Sequence, residues 1–114
     1  MATETLKNAR CAAGAADVTT YATLYGCPAL SQAVVSSIRV TNTSASNVLV
    51  RYAVMGTAGT PAVANGDFLA YDVTVAANDS ICDTNGLVLT AGQYLRVSAG
   101  STAVNFFASL AEIA

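Results

Sequence analysis

The sequence of 114 residues predicts an all-β fold, an antiparallel β-sandwich wound as a jelly roll or an immunoglobulin-like sandwich. Three observations predict it. From Asp17 onward, β-branched and aromatic residues alternate with polar ones in short runs. Clusters of Gly, Pro, Asn, Asp and Ser separate those runs at close intervals. No stretch sustains a helical period over the length of an ordinary helix.

Residues 1–17 are alanine-rich and lack strand alternation; Leu6, Ala9 and Ala13 fit a short helix that Gly14 interrupts. They predict an arm that orders against a neighbour, ahead of a sandwich domain over 18–114. "VTTYATLY" (18–25) reads as the first strand, ended near Pro28, which has no N–H to pair. "AVVSSIRVTN" (33–42), the turn "TSAS" (43–46) and "NVLVRYAV" (47–54) read as strand, turn, strand. A period of two puts Ile38, Val40 and Asn42 on one face of the first, and Val35 and Arg39 on the other. In the second it puts Val48, Val50, Tyr52 and Val54 on an apolar face and Leu49, Arg51 and Ala53 opposite. Paired as a hairpin, the two strands would share one outer surface carrying both Arg39 and Arg51.

"MGTAGTPAVANGD" (55–67) reads as a long loop of small residues, of the kind that often serves a contact. "FLAYDVTVA" (68–76) is the next strand, with Tyr71, Val73 and Val75 sharing a face. Short strands at 80–84 and 87–90 follow, then "YLRVSA" (94–99) with Leu95 and Val97 inward and Arg96 outward. The last strand, "AVNFFASLAEI" (103–113), sets Val104, Phe106, Ala108 and Leu110 on one face and Phe107, Ser109 and Ala111 on the other. The total is seven or eight short strands.

Composition narrows the function. Hydrophobic residues make up 54% and charged residues 11%, against about 25% charged in typical domains. A unit so sparsely charged exposes much uncharged surface when alone, and burial against copies of itself or another protein is the simplest remedy. The net charge of −2 with no basic run excludes a nucleic-acid footprint. The apolar stretches break well before the length that spans a membrane. The first residues lack the apolar core of a signal peptide, which points to a cytoplasmic product left unprocessed.

With no histidine, Ser-His-Asp and Cys-His catalysis and most zinc or iron sites are excluded. Asp67, Asp72, Asp79 and Asp83 form the one acidic cluster; Asp79 and Asp83 stand beside turns, and the spacing does not match a calcium-binding loop. No catalytic set, metal or cofactor is expected. "NTS" (42–44) and "NDS" (78–80) match the glycosylation sequon and are read as accidental in a chain without a secretion signal. The aromatic residues are five Tyr and three Phe without Trp, and most are expected to face the core, which ranks a sugar-binding role low.

Cys11, Cys27 and Cys82 serve as small apolar fillers or form one bridge. The most plausible bridge is Cys27–Cys82, leaving Cys11 free or available to another subunit. Arg39, Arg51 and Arg96 are either solvated outer-face residues that discourage edge-to-edge aggregation or contacts to carboxylates across a subunit boundary, with Asp72 or Glu112 as partners. Together with Leu6 and Arg10 of the arm they are the candidate subunit contacts.

"CPALSQAVVSSIRVTNTSAS", "FLAYDVTVAANDS", "GLVLTAGQYLRVSAG" and "VNFFASLAEI", in this order over about residues 25–113, resemble small structural proteins encoded in the virion gene clusters of tailed bacteriophages. The three cysteines and the alanine-rich start depart from that likeness. The resemblance implies a non-enzymatic β-sandwich component of the virion, made in the host cytoplasm. The resemblance leaves head and tail both open; burial of the uncharged surface points first to a capsid decoration (cement) protein, a homo-oligomeric trimer or ring bound between major capsid subunits. A tail, neck or baseplate component that adapts fibres is the alternative, and a carbohydrate-binding adhesion module a further one. It carries over no catalytic residue.

Overall fold

The structure, a computed structural model, describes residues 4–55, 68–84 and 86–114. Among these residues there are nine strands and no helix: β1 (Glu4–Ala12), β2 (Ala22–Gly26), β3 (Gln32–Asn42), β4 (Val48–Met55), β5 (Phe68–Val75), β6 (Ser80–Asp83), β7 (Leu87–Thr90), β8 (Tyr94–Ala99) and β9 (Val104–Ile113). The long loop expected over 55–67 lies, after Met55, outside the described residues.

Two antiparallel sheets face one another, one of five strands in the order β1-β9-β3-β6 with β7 also on β3, and one of four in the order β2-β8-β4-β5. β6 pairs with the Ile38–Thr41 half of β3 and β7 with the Gln32–Val35 half, so the two act as one strand broken in the middle. With that strand counted once, β1 pairs with β9, β2 with β8, β3 with β6/β7 and β4 with β5. This is a single antiparallel ribbon rolled on itself, the jelly-roll winding rather than the immunoglobulin-like one.

The core lies between the sheets. Val35, Val40, Val104, Phe106 and Leu89 from the larger sheet meet Val50, Val75, Leu95 and Val97 from the smaller, all 0–1% exposed. The alternation of β9 carries through without interruption, with Val104, Phe106, Ala108 and Leu110 buried between less buried neighbours.

Several expectations are corrected. The first seventeen residues are not a strandless arm: Glu4–Ala12 pair with β9 over nine residues as an edge strand of the larger sheet. Its low apolar content hid it, because an edge strand with one solvated face needs few large apolar residues. The first sandwich strand starts at Ala22 rather than residue 18. β3 and β4 are not a hairpin; they belong to opposite sheets. Arg39 and Arg51 therefore stand on opposite outer faces of the sandwich. In β3 a register shift between Val35 and Ser37 puts Ala33 and Val35 inward together with Ile38, Val40 and Asn42. An extra residue in a strand reverses every side chain beyond it. In β5 the left-handed Asp72 (φ 53°) does the same, so Val75 is buried while Tyr71 points out.

The β3–β4 corner is held by one side chain. Asn42 is 1% exposed; its Nδ2 donates to the carbonyls of Ser46 (2.8 Å), Val75 (3.1 Å) and Ala76 (3.2 Å), and its Oδ1 accepts from Ser44 N (2.9 Å) and Ser44 Oγ (2.7 Å). Its amide is fully committed, which rules the Asn42 sequon out as a glycan acceptor in the folded chain.

Each open side of the sandwich is closed by a tyrosine–carboxylate contact between sheets. On one side Tyr25 of β2 donates to Glu112 of β9, which also pairs with Lys7 of β1 at 3.1 Å. On the other Tyr52 of β4 donates to Asp83 of β6 at 2.9 Å. The hydrogen bond from Tyr25 and then Lys7 hold Glu112 below its ordinary value of 4.5, and burial, followed by the carboxylate contact, pushes both phenols well above their ordinary value of 10.0. A carboxyl lowered by folding stabilises the fold above its unfolded value, and that contribution fades as pH falls through the folded value. A phenol raised by folding contributes fully below its unfolded value and loses the contribution as pH rises past it. Stability is thus expected to be flat between about pH 5 and 9 and to fall on both sides. Chemical denaturation across pH checks this, and Tyr25→Phe is expected to flatten part of the alkaline fall.

Candidate docking face

The register places the side chains on the outer face of the larger sheet in rows across β1, β9, β3 and β6/β7. The end row is Glu4, Ile113, Gln32 and Thr90. Next come Leu6, Ala111, Val34 and Val88, a continuous apolar row in which Leu6 is 82%, Val34 40% and Val88 61% exposed. A polar row of Asn8, Ser109 and the Ser36–Ser37 bulge follows, with Ser36 Oγ donating to Ser109 O at 3.0 Å. Beyond it are Arg10, Phe107, Arg39 and Cys82, then Ala12, Asn105, Thr41 and Ser80. None of these side chains is buried, and among them Glu4, Arg10 and Arg39 carry the charge.

Of the candidate contacts, the structure brings Leu6, Arg10 and Arg39 together on this face. The Arg10 guanidinium lies 5.7 Å from the Phe107 ring centre, and Arg39 flanks the same ring from the other strand. Shallow depressions line the face beside Phe107 and between Leu6 and Val34.

Arg51 and Arg96 belong to the other sheet, and the chain itself occupies them. Arg51 makes a two-pronged contact with Asp72 (Nε–Oδ1 2.7 Å, Nη2–Oδ2 3.2 Å) and lies 4.1 Å over the Tyr71 ring. That contact lowers the Asp72 carboxyl below its ordinary range. Arg96 donates to the Tyr21 carbonyl at 3.1 Å, and the neighbouring Ser98 donates to Val18 O at 2.7 Å. The chain preceding β2 therefore covers that part of the smaller sheet. The carboxylates expected to answer arginines across a subunit boundary, Asp72 and Glu112, are used within the chain by Arg51 and Lys7.

The structure contains no Cys27–Cys82 bridge; all three cysteines are free thiols. Cys27 is buried at the β2 end, donating to Ser31 O (3.5 Å) and Leu89 O (3.8 Å), while exposed Cys82 pairs with Arg39. Ser31 and Arg39 lie eight residues apart along the chain, most of it β3, about 25 Å in an extended strand, and a bridge needs Cα atoms within about 7 Å. Cys11 faces inward opposite Phe106, half-buried, and burial raises its thiol; burial and then Glu112 raise that of Cys27. Thiol titration of the native protein is expected to label Cys82 at once, Cys11 slowly and Cys27 only on unfolding.

Among the described residues no group of His, Cys, Asp and Glu is placed to hold a metal ion. Asp83 is engaged by Tyr52, Asp72 by Arg51 and Asp79 by the Ser80 N–H at 2.8 Å; Asp67 lies outside the described residues. The expectation that most aromatic rings face the core is also corrected. Tyr52 and Phe106 are buried, whereas Tyr21, Phe68 and Tyr71 form an outer cluster with ring centres 6.5 and 4.9 Å apart.

No protein-family model matches the chain. No curated protein matches it either. Solved structures do match at the level of fold. A chain of the T13 viral particle of infectious bursal disease virus is similar with a TM-score of 0.57 at 12% identity, over 96% of this chain and 31% of that one. A chain of the Gx strain of infectious bursal disease virus is similar with a TM-score of 0.56 at 14% identity, over 99% and 33%. The chain spans about a third of the length of the virus chains it matches. At these identities the likeness is one of fold, a β-sandwich that also occurs in virus particles.

Proposed function

We propose that this chain is a non-enzymatic structural subunit of a virion, of the capsid decoration type, seated between major capsid subunits. One observation carries the reading: the outer face of the larger sheet presents aligned rows of exposed side chains with charge at Glu4, Arg10 and Arg39 alone and an unbroken apolar row through Leu6 and Val88. An enzyme of this size would need convergent acid–base or metal-ligating groups, whereas a building block needs a broad, weakly charged face. The jelly-roll winding and the fold likeness to chains of infectious bursal disease virus particles support a virion role.

Quantitative mass spectrometry of purified particles tests it. Hundreds of copies per particle are expected for a decoration protein. A dozen or fewer would move the chain to the tail, neck or baseplate, and absence from particles would overturn the virion assignment.

A further inference from the structure

We propose that the outer face of the five-stranded sheet binds a second copy of this chain, through a two-fold axis lying in the interface parallel to the strands and midway between β9 and β3. The inference deepens the assembly reading above by naming the occupant of the same face. The argument is the order of residues within each row. Rotation about that axis lays β1 on the partner's β6/β7 and β9 on its β3. In the apolar row, Leu6 then meets Val88 and Ala111 meets Val34 of the second copy; every contact in that row is apolar on apolar. In the basic row, Phe107 meets the second copy's Arg39, a guanidinium on an aromatic face, and each contact occurs twice by symmetry. A two-fold perpendicular to the strands instead places Leu6 on Leu6 or on Asn8 and gives Phe107 no guanidinium from the second copy. Aligned face-to-face packing is also how two twisted sheets ordinarily meet.

The size fits a modest, reversible dimer. Four strands about 4.8 Å apart and about eight residues long give a projected face of about 500 Å² per copy. The accessible area removed, counted over both copies, is then near about 1,000 Å², at the small end of specific interfaces. Four guanidiniums converge at one end and repel, so the dimer is expected to tighten as salt rises; docking on an acidic partner would weaken.

Sedimentation velocity over a concentration series, at low and high salt, tests the proposal. The expected result is a monomer–dimer equilibrium in the micromolar range. Leu6→Asp sets an unpaired carboxylate against Val88 of the second copy and should weaken association by roughly a hundredfold. Adding Val88→Lys to the same chain should restore most of it, since the new carboxylate of one copy then meets the new ammonium group of the other. Within one chain positions 6 and 88 lie three strands apart, so the rescue cannot arise internally. It also excludes misfolding as the cause of the first effect. A monomer at all concentrations, a trimer, a dimer indifferent to Leu6→Asp, or a double variant no better than the single one would each overturn the proposal. A monomeric chain that is nevertheless found in particles would overturn the dimer and leave the virion assignment standing.

Discussion

Replacing Asn42 by alanine is expected to destabilise the protein by about 3 kcal/mol and to lower the melting temperature by roughly 10 °C or more. The side chain is buried, with its two Nδ2 hydrogens shared among three carbonyls and its Oδ1 accepting two hydrogen bonds, at the corner where the chain leaves one sheet for the other. Alanine removes every one, leaving the Val75 and Ala76 carbonyls and the Ser44 N–H to find other partners in a cavity too small for several waters. Asn42→Asp keeps the shape and the accepting oxygen but replaces the donor by a carboxylate facing three carbonyls, so it is expected to be at least as damaging. Thermal unfolding followed by circular dichroism measures both, and a loss below about 1 kcal/mol for Asn42→Ala would show that the corner is held by the surrounding strands instead.

The second large effect separates two adjacent rings. Phe106 is fully buried at the centre of the core, and Phe107, the next residue of β9, is on the outer face between Arg10 and Arg39. Phe106→Ala is expected to cost about 4 kcal/mol, the transfer of the ring plus the cavity it leaves. Phe107→Ala should change stability by about 1 kcal/mol or less, because its ring is only partly covered and its cation–π contact with Arg10 is exposed. Its effect belongs to association, which it should weaken while leaving the melt nearly unchanged. Paired measurement of melting and sedimentation on the two variants checks this. If Phe107→Ala unfolds the protein as Phe106→Ala does, the outer row is part of the core and the docking face is misassigned.

Much of the fold was legible because period-two alternation survives wherever a strand is regular. The faces of β9, and of β8 around Arg96, follow from the sequence directly. Alternation failed where a backbone irregularity intervened: the shift at Val35/Ser37 and the left-handed Asp72 each invert half a strand, and no residue type announces either. β1 was missed because an edge strand answers to its neighbour's hydrogen bonds more than to its own composition. Pairing partners were beyond reach for a different reason: in a jelly roll the strands joined by the short "TSAS" turn lie in opposite sheets, while β1 pairs with β9 across nearly the whole chain.

The candidate site was half legible. Leu6 and Arg10 were expected to make contacts from an arm and Arg39 from the outer face of a strand; the register puts all three on one outer face. Val34, Val88 and Phe107, which complete the face, became visible only with the register. Arg51 drops out because Asp72 satisfies it, and Arg96 because the chain covers it, its Nη2 donating to the Tyr21 carbonyl while its Nε is buried and unpaired among the described residues. Nothing in the spacing of those residues signals either contact.

A jelly roll that serves as a building block through its weakly charged outer sheet must have that sheet covered in the assembled particle. Imaging purified particles of the virus that encodes the chain, at a resolution that places side chains, is the decisive measurement. The expected result is a jelly roll at repeated positions on the particle with the Leu6–Val88 row covered by a protein surface. A chain absent from the particle, or present with that row open to solvent, would contradict it.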